Sequence, residues 1–584
     1  MSDYDLVPAI RVPGGGTVHR GAAAYEQLWG QARGRAGLSA GPAVLAVDCY
    51  PGVEVVDIVA GLRAAAPEAL VFELEDYAKS AAELQDMLAG RLTDDRVFGV
   101  MSNVALKDFY RAEAFESVLE QLVGIDRDVA VVGWGASAIP LSEPTVVLAD
   151  LARWEIQQRF RRGAGNWRAD NGAEDVLRKF KRGYFVEWRT ADNHKRPLLE
   201  SADFLLDTTG EAKLISGEVL RAGLQAAVSQ PFRVVPFFDP GPWGGVWMRD
   251  KIGLPALEPG KNYAWCFDCV PEENSLLLRV GEDVIEVPSL DLVLSRPREL
   301  LGEQTFARFG AEFPIRFDFL DTVAGGNLSL QVHPLTDYIQ RQFGMHYTQD
   351  ESYYMLDAVA GAKVYLGLQD GIDAEQMLAE LAAAQSGAEP FDAEKFVNVL
   401  PAKKHDHFLI PAGTVHASGS GSMVLEISAT PYIFTFKLWD WGRLGLDGKP
   451  RPIHLEHGAA NIQWERQSEF VRNELANRTE QVADGPGWTE ERTGLHELEF
   501  IETRRHWFTG PVEHDTRGTV NVLNLVEGDR VLIESPTGAF EPFAVHYAET
   551  FLVPAAVGRY TISPAGTAQK YGTLKAYVRA TERL

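Results

Sequence analysis

The pattern of apolar runs changes along the chain, and this change constrains the fold more than any other sequence feature. Over roughly residues 40–225, short apolar runs such as "AVLAVD" (43–48) and "DVAVVGWG" (128–135) alternate with amphipathic helical stretches. From about residue 230, strand-like runs and turns dominate, including "IRFDFLDTV" (315–323) and "AKVYLGL" (362–368). Strands that alternate with helices predict a parallel α/β sheet, whereas consecutive strands predict a β-barrel or sandwich.

The length and the breaks in pattern predict a multidomain protein. With 584 residues, the chain is too long for a single hydrophobic core. We place an N-terminal α/β domain at residues 1–228, a β-barrel domain at 229–474 and a second, smaller β-barrel at 490–584. The helical run "DAEQMLAELAAAQ" (373–385) predicts an insertion in the first barrel, and the polar stretch 475–495 predicts a linker.

Charge and composition exclude several classes of protein. The formal net charge is −26, so the phosphate backbone of a nucleic acid would be repelled. No apolar run approaches the roughly 18–20 residues of a membrane span, and the N-terminus has no signal-peptide pattern. The three cysteines are too few for a disulfide framework, and the lone "CFDC" pair (266–269) predicts two packed strand residues. We therefore expect a cytoplasmic protein with a small-molecule partner, no nucleic-acid partner and no membrane association.

Four side chains in the β-rich region have the chemistry and spacing of a metal site. Gln331 and His333, in "LSLQVHP" (328–334), are two apart on a strand and share one face. Glu351 begins a later strand run, and His416 closes "IPAGTVH". Single residues of these types in strands are usually packed structurally, but the combination QxH, E and PxGxxH is typical of metal-binding cupin barrels. Two nitrogen and two oxygen donors suit Zn²⁺ or another divalent metal and leave a position for water or substrate.

The middle of the chain resembles the class I, zinc-dependent mannose-6-phosphate isomerases. The segments that carry the resemblance follow the family's order over about 230–465: "PWGG", "LSLQVHP", "ESYYMLDAVAGAKVYLGL", "FLIPAGTVHA", "VLEIS", "KLWDWGR" and "RPIHLEHGAANI". The resemblance implies a cupin fold with Gln331, His333, Glu351 and His416 as metal ligands. It also implies an aldose–ketose isomerase of carbohydrate metabolism that interconverts mannose 6-phosphate and fructose 6-phosphate, or a related sugar, through a cis-enediol. The C-terminal β region is similar to the family's second cupin barrel.

Three further residues are candidates for catalysis and substrate binding. The isomerisation moves a proton between C1 and C2, which requires an acid/base group. Glu426 in "VLEIS" is a candidate because its apolar neighbours indicate burial, which raises a carboxyl pKa; an ion-paired structural role is the alternative. Lys437 lies close to the position of a family arginine and is a candidate for stabilising the enediolate or binding the substrate anion. Ser329 matches the family's phosphate-contacting serine.

The sequence departs from the family next to the metal ligands. Many members carry a lysine two residues before the metal-binding glutamate, where this chain has Gln349, followed by Asp350. Losing a cation and gaining a carboxylate disfavours a dianionic phosphate, and Lys437 lacks the bidentate fork of an arginine. The second hypothesis is therefore a non-catalytic sugar or sugar-phosphate binding or regulatory protein on an isomerase scaffold.

The N-terminal region resembles a degenerate P-loop kinase of the uridine-kinase type. A strand, a turn and a helix begin at residue 43, and "VLRKFKRGYFVEWR" (176–189) is similar to the lid of such kinases. The turn "DCYPGVEVV" (48–56) lacks the lysine and the Ser/Thr that a phosphate loop needs. The prediction is a structural or regulatory domain, in which the basic stretch 153–196 is either a solvated face or an anion site.

Overall fold

The chain forms two compact units. The computed structural model describes residues 3–39, 41–387, 389–493 and 499–579. Within them, the N-terminal unit comprises residues 9–227 and 272–296, and the β unit comprises residues 3–8, 228–271 and 297–579. The three-domain division at residues 228 and 474 stays a prediction.

The N-terminal unit is built on a seven-stranded sheet. From one edge to the other, its strands are His19–Arg20, Lys213–Ser216, Phe204–Asp207, Thr145–Asp150, Val44–Cys49, Val129–Gly133 and Leu70–Glu73. All neighbouring strands from Phe204–Asp207 to Leu70–Glu73 are parallel. The predicted parallel α/β sheet is therefore present, while its resemblance to kinases stays a prediction.

Helices cover this sheet, as the apolar character of its strands requires. Leu45, Ala46 and Val47 are fully buried, which is typical of parallel strands covered on both faces. The described helices of the unit are Ala22–Ser39, Val55–Ala65, Ala81–Leu92, Ala114–Leu122, Arg153–Arg161, Val176–Arg182, Trp188–Ser201, Gly217–Val228 and Ser289–Ser295, with the π-helical turn Gly183–Glu187. Ser80 begins one of them with a capping box, in which Ser80 and Glu83 satisfy each other's backbone N–H groups.

Residues 272–296 complete the N-terminal unit from a distant part of the chain. They contribute Ser275–Val280 and Asp283–Pro288 to a three-stranded sheet with Ala9–Arg11. The buried Lys195 ammonium lies 2.7 Å from a carboxylate oxygen of Asp291 and 2.9 Å from one of Asp150. The sequence pattern predicted both strands but placed them in the β-barrel domain at 229–474.

The first part of the β unit consists of two sheets whose inner faces meet. The six-stranded sheet contains, in order, His407–Ile410, Glu351–Ala358, Ser422–Ala429, Ile315–Asp321, Tyr263–Cys269 and Phe237–Gly245. The five-stranded sheet contains Val397–Pro401, Lys363–Leu368, His416–Ser418, Leu330–Val332 and Phe436–Trp439. The predicted helical insertion is Ala374–Gln385, whose N-terminus is capped by the Asp373 carboxylate. The predicted β-rich region with an insertion is thus confirmed.

The C-terminal part of the β unit also has two sheets. One contains Thr479–Gly485, Trp488–Thr493, Ile501–Phe508, Tyr571–Val578, Asn521–Glu527 and Thr550–Val553. The other contains Val512–Asp515, Arg559–Pro564, Arg530–Glu534 and Phe543–His546. Leu523, Val531 and Phe551 belong to the buried apolar core of this part.

Short helices complete the β unit. They are Pro297–Leu301, Glu303–Phe309, Thr336–Phe343, Ala393–Phe396, Leu455–Ala459 and Ser468–Phe470, with π-helical turns at Met248–Ile252 and Val471–Leu475. Cys266 and Cys269 are buried free thiols in the six-stranded sheet. In neither unit does a described helix combine the length and apolar character that crossing a bilayer requires.

Candidate metal centre

The four side chains predicted to bind a metal meet between the two sheets of the first barrel. Gln331 lies on one strand and His333 directly follows it, two residues on. His416 begins the neighbouring strand, where it is paired in register with Gln331. Glu351 begins a strand of the other sheet. Strand pairing and the alternation of side chains along each strand thus bring together residues that are up to 85 positions apart in the sequence.

The donor atoms of these side chains are close enough to share one ion. Nε2 of His333 lies 2.8 Å from one carboxylate oxygen of Glu351, and Nε2 of His416 lies 3.3 Å from the other. Ligand atoms of these three residues all lie within 4.8 Å of one another. The amide nitrogen of Gln331, Nε2, lies 3.2 Å from Nε2 of His416. All four residues are buried.

The other nitrogen of each imidazole faces a backbone carbonyl. Nδ1 of His333 lies 3.1 Å from the carbonyl oxygen of Phe434, and Nδ1 of His416 lies 2.8 Å from that of Thr414. Donation from Nδ1 to the carbonyl leaves Nε2 as the nitrogen that faces Glu351. This is the arrangement in which protein imidazoles bind metals.

Several buried polar atoms in and beside the donor cluster have no hydrogen-bond partner among the described residues. They are Nε2 of His333, Oε1 of Glu351 and Oε1 of Gln349. Burying unpaired acceptors of this kind is unfavourable, and a cation among them removes the penalty. The residues present therefore fit a divalent metal.

The charges of the cluster keep the Glu351 carboxylate ionised. Burial alone would raise the pKa of Glu351, but the imidazoles of His333 and His416 more than offset it, and the pKa lies below its usual range. Burial alone would lower the pKa of His333, but the Glu351 carboxylate raises it overall. The amide of Gln349 also donates to Glu351, at 3.2 Å. The carboxylate is thus held ionised, as a metal ligand must be.

Glu426, the predicted acid/base residue, is buried in an ion pair on the inner face of the six-stranded sheet. Arg316 donates to Glu426 and lies 3.0 Å from the carboxylate of Asp318, the strand partner of Glu426. Ser428 donates to the same oxygen of Glu426 at 3.0 Å. Burial and the charge of Glu351 raise the pKa of Glu426, while Arg316 acts in the opposite direction. Both interpretations of Glu426 from the sequence therefore have a structural basis.

Lys437 lies next to the metal ligands. It is the strand partner of Gln331, on the side opposite to His416. Directly paired residues project to the same face of a sheet, so the half-buried Lys437 side chain is on the face of the donor cluster.

Ser329 is buried in a charged cluster that the sequence did not reveal. Its hydroxyl donates to Asp440 at 2.8 Å and accepts from Arg451 at 3.0 Å. Arg443 also pairs with Asp440, at 2.6 Å. The guanidinium groups of Arg443 and Arg451 both lie over the ring of Trp243. Two arginines thus lie near the serine that the resemblance assigns to phosphate.

Sequence reasoning missed Arg316 and Arg451 as parts of the site. The run "IRFDFLD" places a cation and an anion two residues apart on one face of an otherwise apolar strand, a pattern that indicates an inward-facing charged pair. Arg451 opens the quoted segment "RPIHLEHGAANI", but its contact with Ser329 spans 122 positions and has no local signal.

Comparisons with known proteins show which proteins this chain is similar to. The chain is similar to mannose-6-phosphate isomerases. It is 28% identical over 214 residues to the enzyme of Streptococcus mutans, which covers 37% of this chain and 62% of that protein. It is 26% identical over 236 residues to the isomerase ManA of Bacillus subtilis, which covers 40% of this chain and 69% of that protein. The chain thus spans just under two thirds of the length of the first relative and slightly more of the second.

Two further comparisons concern structure and the N-terminal region. The solved mannose 6-phosphate isomerase of Bacillus subtilis aligns with 60% of this chain and 100% of its own, at 18% identity and a TM-score of 0.49. A family model described as a domain of unknown function, DUF8485, matches residues 24–229.

Proposed function

We propose that the β unit is a metal-dependent aldose–ketose isomerase that interconverts mannose 6-phosphate and fructose 6-phosphate, or a closely related sugar. The observation that carries the proposal is the convergence of Gln331, His333, Glu351 and His416, with the Nε2 atoms of both imidazoles directed at one point. Similarity to named mannose-6-phosphate isomerases supports the reaction class.

The four converging residues would hold the metal. Two imidazole nitrogens and a carboxylate oxygen, with the amide of Gln331 turned so that its oxygen faces them, form a donor set that suits Zn²⁺. When bound, such an ion supplies a positive charge that polarises the substrate carbonyl. The backbone carbonyls of Phe434 and Thr414 orient the two imidazoles for this task.

Glu426 is the proposed group that moves the proton between C1 and C2. The raised pKa of this buried carboxyl brings it closer to the range in which an acid/base group both accepts and releases a proton. Arg316 and Ser428 hold its orientation. Lys437, on the face of the donor cluster, is proposed to balance the negative charge that develops on the substrate oxygens.

Ser329 is proposed to lie at the substrate's anionic end. Its hydroxyl is held by Asp440 and Arg451, and Arg443 adds a second cation to the cluster. The positive charges of these two arginines replace part of the positive charge that a lysine would supply at the position of Gln349.

A second candidate function is sugar binding without turnover. The observation that favours it is Gln349, which is buried and donates to Glu351 at the position where the family resemblance leads us to expect a lysine. Without that cation, a scaffold can keep its ligand site while losing catalytic efficiency.

Isotope exchange separates the two functions. The full chain, loaded with Zn²⁺, is incubated in ²H₂O with mannose 6-phosphate, fructose 6-phosphate or unphosphorylated mannose, and deuterium at C1 and C2 is followed by NMR. We expect incorporation that stops when the metal is chelated and is absent in His416→Ala. His346→Ala is the matched control, because His346 is exposed and outside the donor cluster.

Each outcome decides the question. Metal-dependent exchange supports the isomerase, and the sugar that exchanges fastest identifies the substrate. Calorimetric binding of these sugars without exchange supports the sensor. If the protein neither binds these sugars nor catalyses exchange, both proposed functions are wrong.

A further inference from the structure

The N-terminal unit contains a cavity that the proposed isomerase does not use. Its volume is about 240 Å³, far above the roughly 10–15 Å³ that one water requires. It lies between the helix Ala81–Leu92 and the segment that leads into and includes the helix Val176–Arg182. All of its lining residues belong to the N-terminal unit.

Three cations line the cavity. Arg178, Lys181 and Arg182 lie on consecutive turns of one helix. Lys181 and Arg182 are only 2% and 5% exposed. The chain as a whole has 82 acidic and 56 basic residues, so three cations around one cavity are unusual for it.

Two of these cations have no carboxylate partner among the described residues. Lys181 donates only to the backbone carbonyls of Thr93 and Asp95, and Arg178 donates to that of Asp94 at 3.3 Å. Arg182, in contrast, is paired with Glu187 at 2.7 Å. A buried ammonium without a counterion is expensive, because carbonyl dipoles replace only part of its hydration.

Carboxylates near this cluster offset its charge only in part. Burial lowers the pKa of Lys181 and the charge of Arg178 lowers it further, while the carboxylates of Asp95, Glu174 and Asp94 raise it. Among the described residues, the hydrogen bonds of Lys181 and Arg178 go to backbone carbonyls and not to these carboxylates. An anion in the cavity would give both cations a direct partner.

The rest of the lining is polar and includes acceptors. Thr93 lines the cavity together with two amides and two carboxylates, those of Gln85, Asn171, Asp170 and Glu174. Carboxylate and amide oxygens accept hydrogen bonds from hydroxyl groups, whereas they would repel a second anionic group. The cavity is therefore complementary to a molecule with one anionic end and one hydroxylated end.

We propose that this cavity binds a small hydroxylated metabolite through its oxyanion, either a phosphate or a carboxylate, with Arg178 and Lys181 as the anion-binding residues. The binding gives the N-terminal unit a ligand of its own, independent of the reaction proposed for the β unit.

Hydrogen–deuterium exchange of the full chain tests the proposal and locates the site. The probes are glycerol 3-phosphate, glycerate and glycerol, which share hydroxyl groups and differ in the anionic group. We expect one or both anions to slow exchange in peptides that cover 81–93 and 169–182, and glycerol to have no effect. Comparing the two anions distinguishes a phosphate from a carboxylate ligand.

Arg178→Gln is the decisive variant, because Arg178 is only partly buried and its loss leaves the other cavity contacts in place. We expect the dissociation constant of this variant for the bound anion to be about tenfold higher than that of the unaltered protein. This is the effect of losing one charge-assisted hydrogen bond. Arg63→Gln, at an exposed arginine outside the cavity, is the control and should bind as the unaltered protein does. The proposal is overturned if neither anion slows exchange at about 10 mM, if glycerol acts equally, or if Arg178→Gln binds normally.

Discussion

Arg316 and Glu426 form a buried ion pair on adjacent strands of the six-stranded sheet, each about one-twentieth exposed. The pair lies on the inner face that also carries Glu351, since Glu351 and Glu426 are two strand positions apart across the sheet. Glu426 is thus held in place by a fixed cation rather than free to rotate. An acid/base role and a structural role are compatible in this arrangement.

Arg316→Met is expected to destabilise the protein by about 3–5 kcal/mol, because it leaves Glu426 and Asp318 buried without a counterion. Urea unfolding at neutral pH measures the change. Glu426→Gln should be less damaging, since Arg316 keeps its contact with Asp318. Arg341→Met, at an exposed pair with Asp337, should change the stability by less than about 1 kcal/mol. A similar small effect for Arg316→Met would contradict the proposed importance of the pair.

His416→Ala is expected to abolish stoichiometric metal binding, because it removes one of the two imidazole donors. Elemental analysis of protein purified without chelators measures the bound metal. We expect about one zinc per chain in the unaltered protein and in His346→Ala, and much less in His416→Ala. Equal metal content in all three would place the ion elsewhere.

Lys437→Met is expected to lower kcat for isomerisation by about 10²-fold if the ammonium stabilises the enediolate. If Lys437 instead binds the phosphate, KM for mannose 6-phosphate should rise while that for mannose stays unchanged. Steady-state kinetics on both sugars distinguishes these roles. Lys449→Met, at an exposed loop position, is the control. Unchanged kinetics in Lys437→Met would remove this residue from the site.

Lys575→Met is expected to stabilise the protein at pH 7 and to lose this advantage at high pH. Burial lowers the pKa of Lys575 to about 8, with the charges of Arg517 and Arg504 adding to the effect. Between about pH 8 and about 10.4 the unfolded chain binds the proton more tightly than the folded chain, so the unaltered protein gains stability as the pH rises. The lowered pKa of Lys575 corresponds to about 3 kcal/mol of stability that the unaltered protein lacks at pH 7.

Urea unfolding at pH 7 and at about pH 10.4, the ordinary lysine pKa, tests this linkage. The difference between Lys575→Met and the unaltered protein should shrink to nearly zero at the higher pH. The exposed Lys570→Met should show no such change. An equal difference at both pH values would mean that Lys575 titrates normally.

The sequence was sufficient to find the donor cluster because two of its members are linked by local geometry. Gln331 and His333 are two apart on a strand, and the turn before His416 has a recognisable sequence. Arg316 and Arg451 could not be assigned in this way, since their partners Glu426 and Ser329 are 110 and 122 positions away. Such contacts depend on which strands become neighbours, and local patterns do not contain that information.

The same limit applies to the fold. Apolar periodicity identified the strands Ser275–Val280 and Asp283–Pro288, but it could not tell that they pair with Ala9–Arg11 in the N-terminal unit. Apolar periodicity alone is compatible with pairing in either unit. The choice between them is made by long-range packing, including the ion pair of Lys195 with Asp291.

The return of residues 272–296 to the N-terminal unit affects how the gene can be dissected. The backbone passes between the units four times, so truncation at residue 228 alone would leave a hairpin and a helix without the surfaces they cover. A truncated β unit is therefore expected to aggregate through this orphaned segment. Separate production of the two halves requires excising 272–296 from one and fusing it to the other.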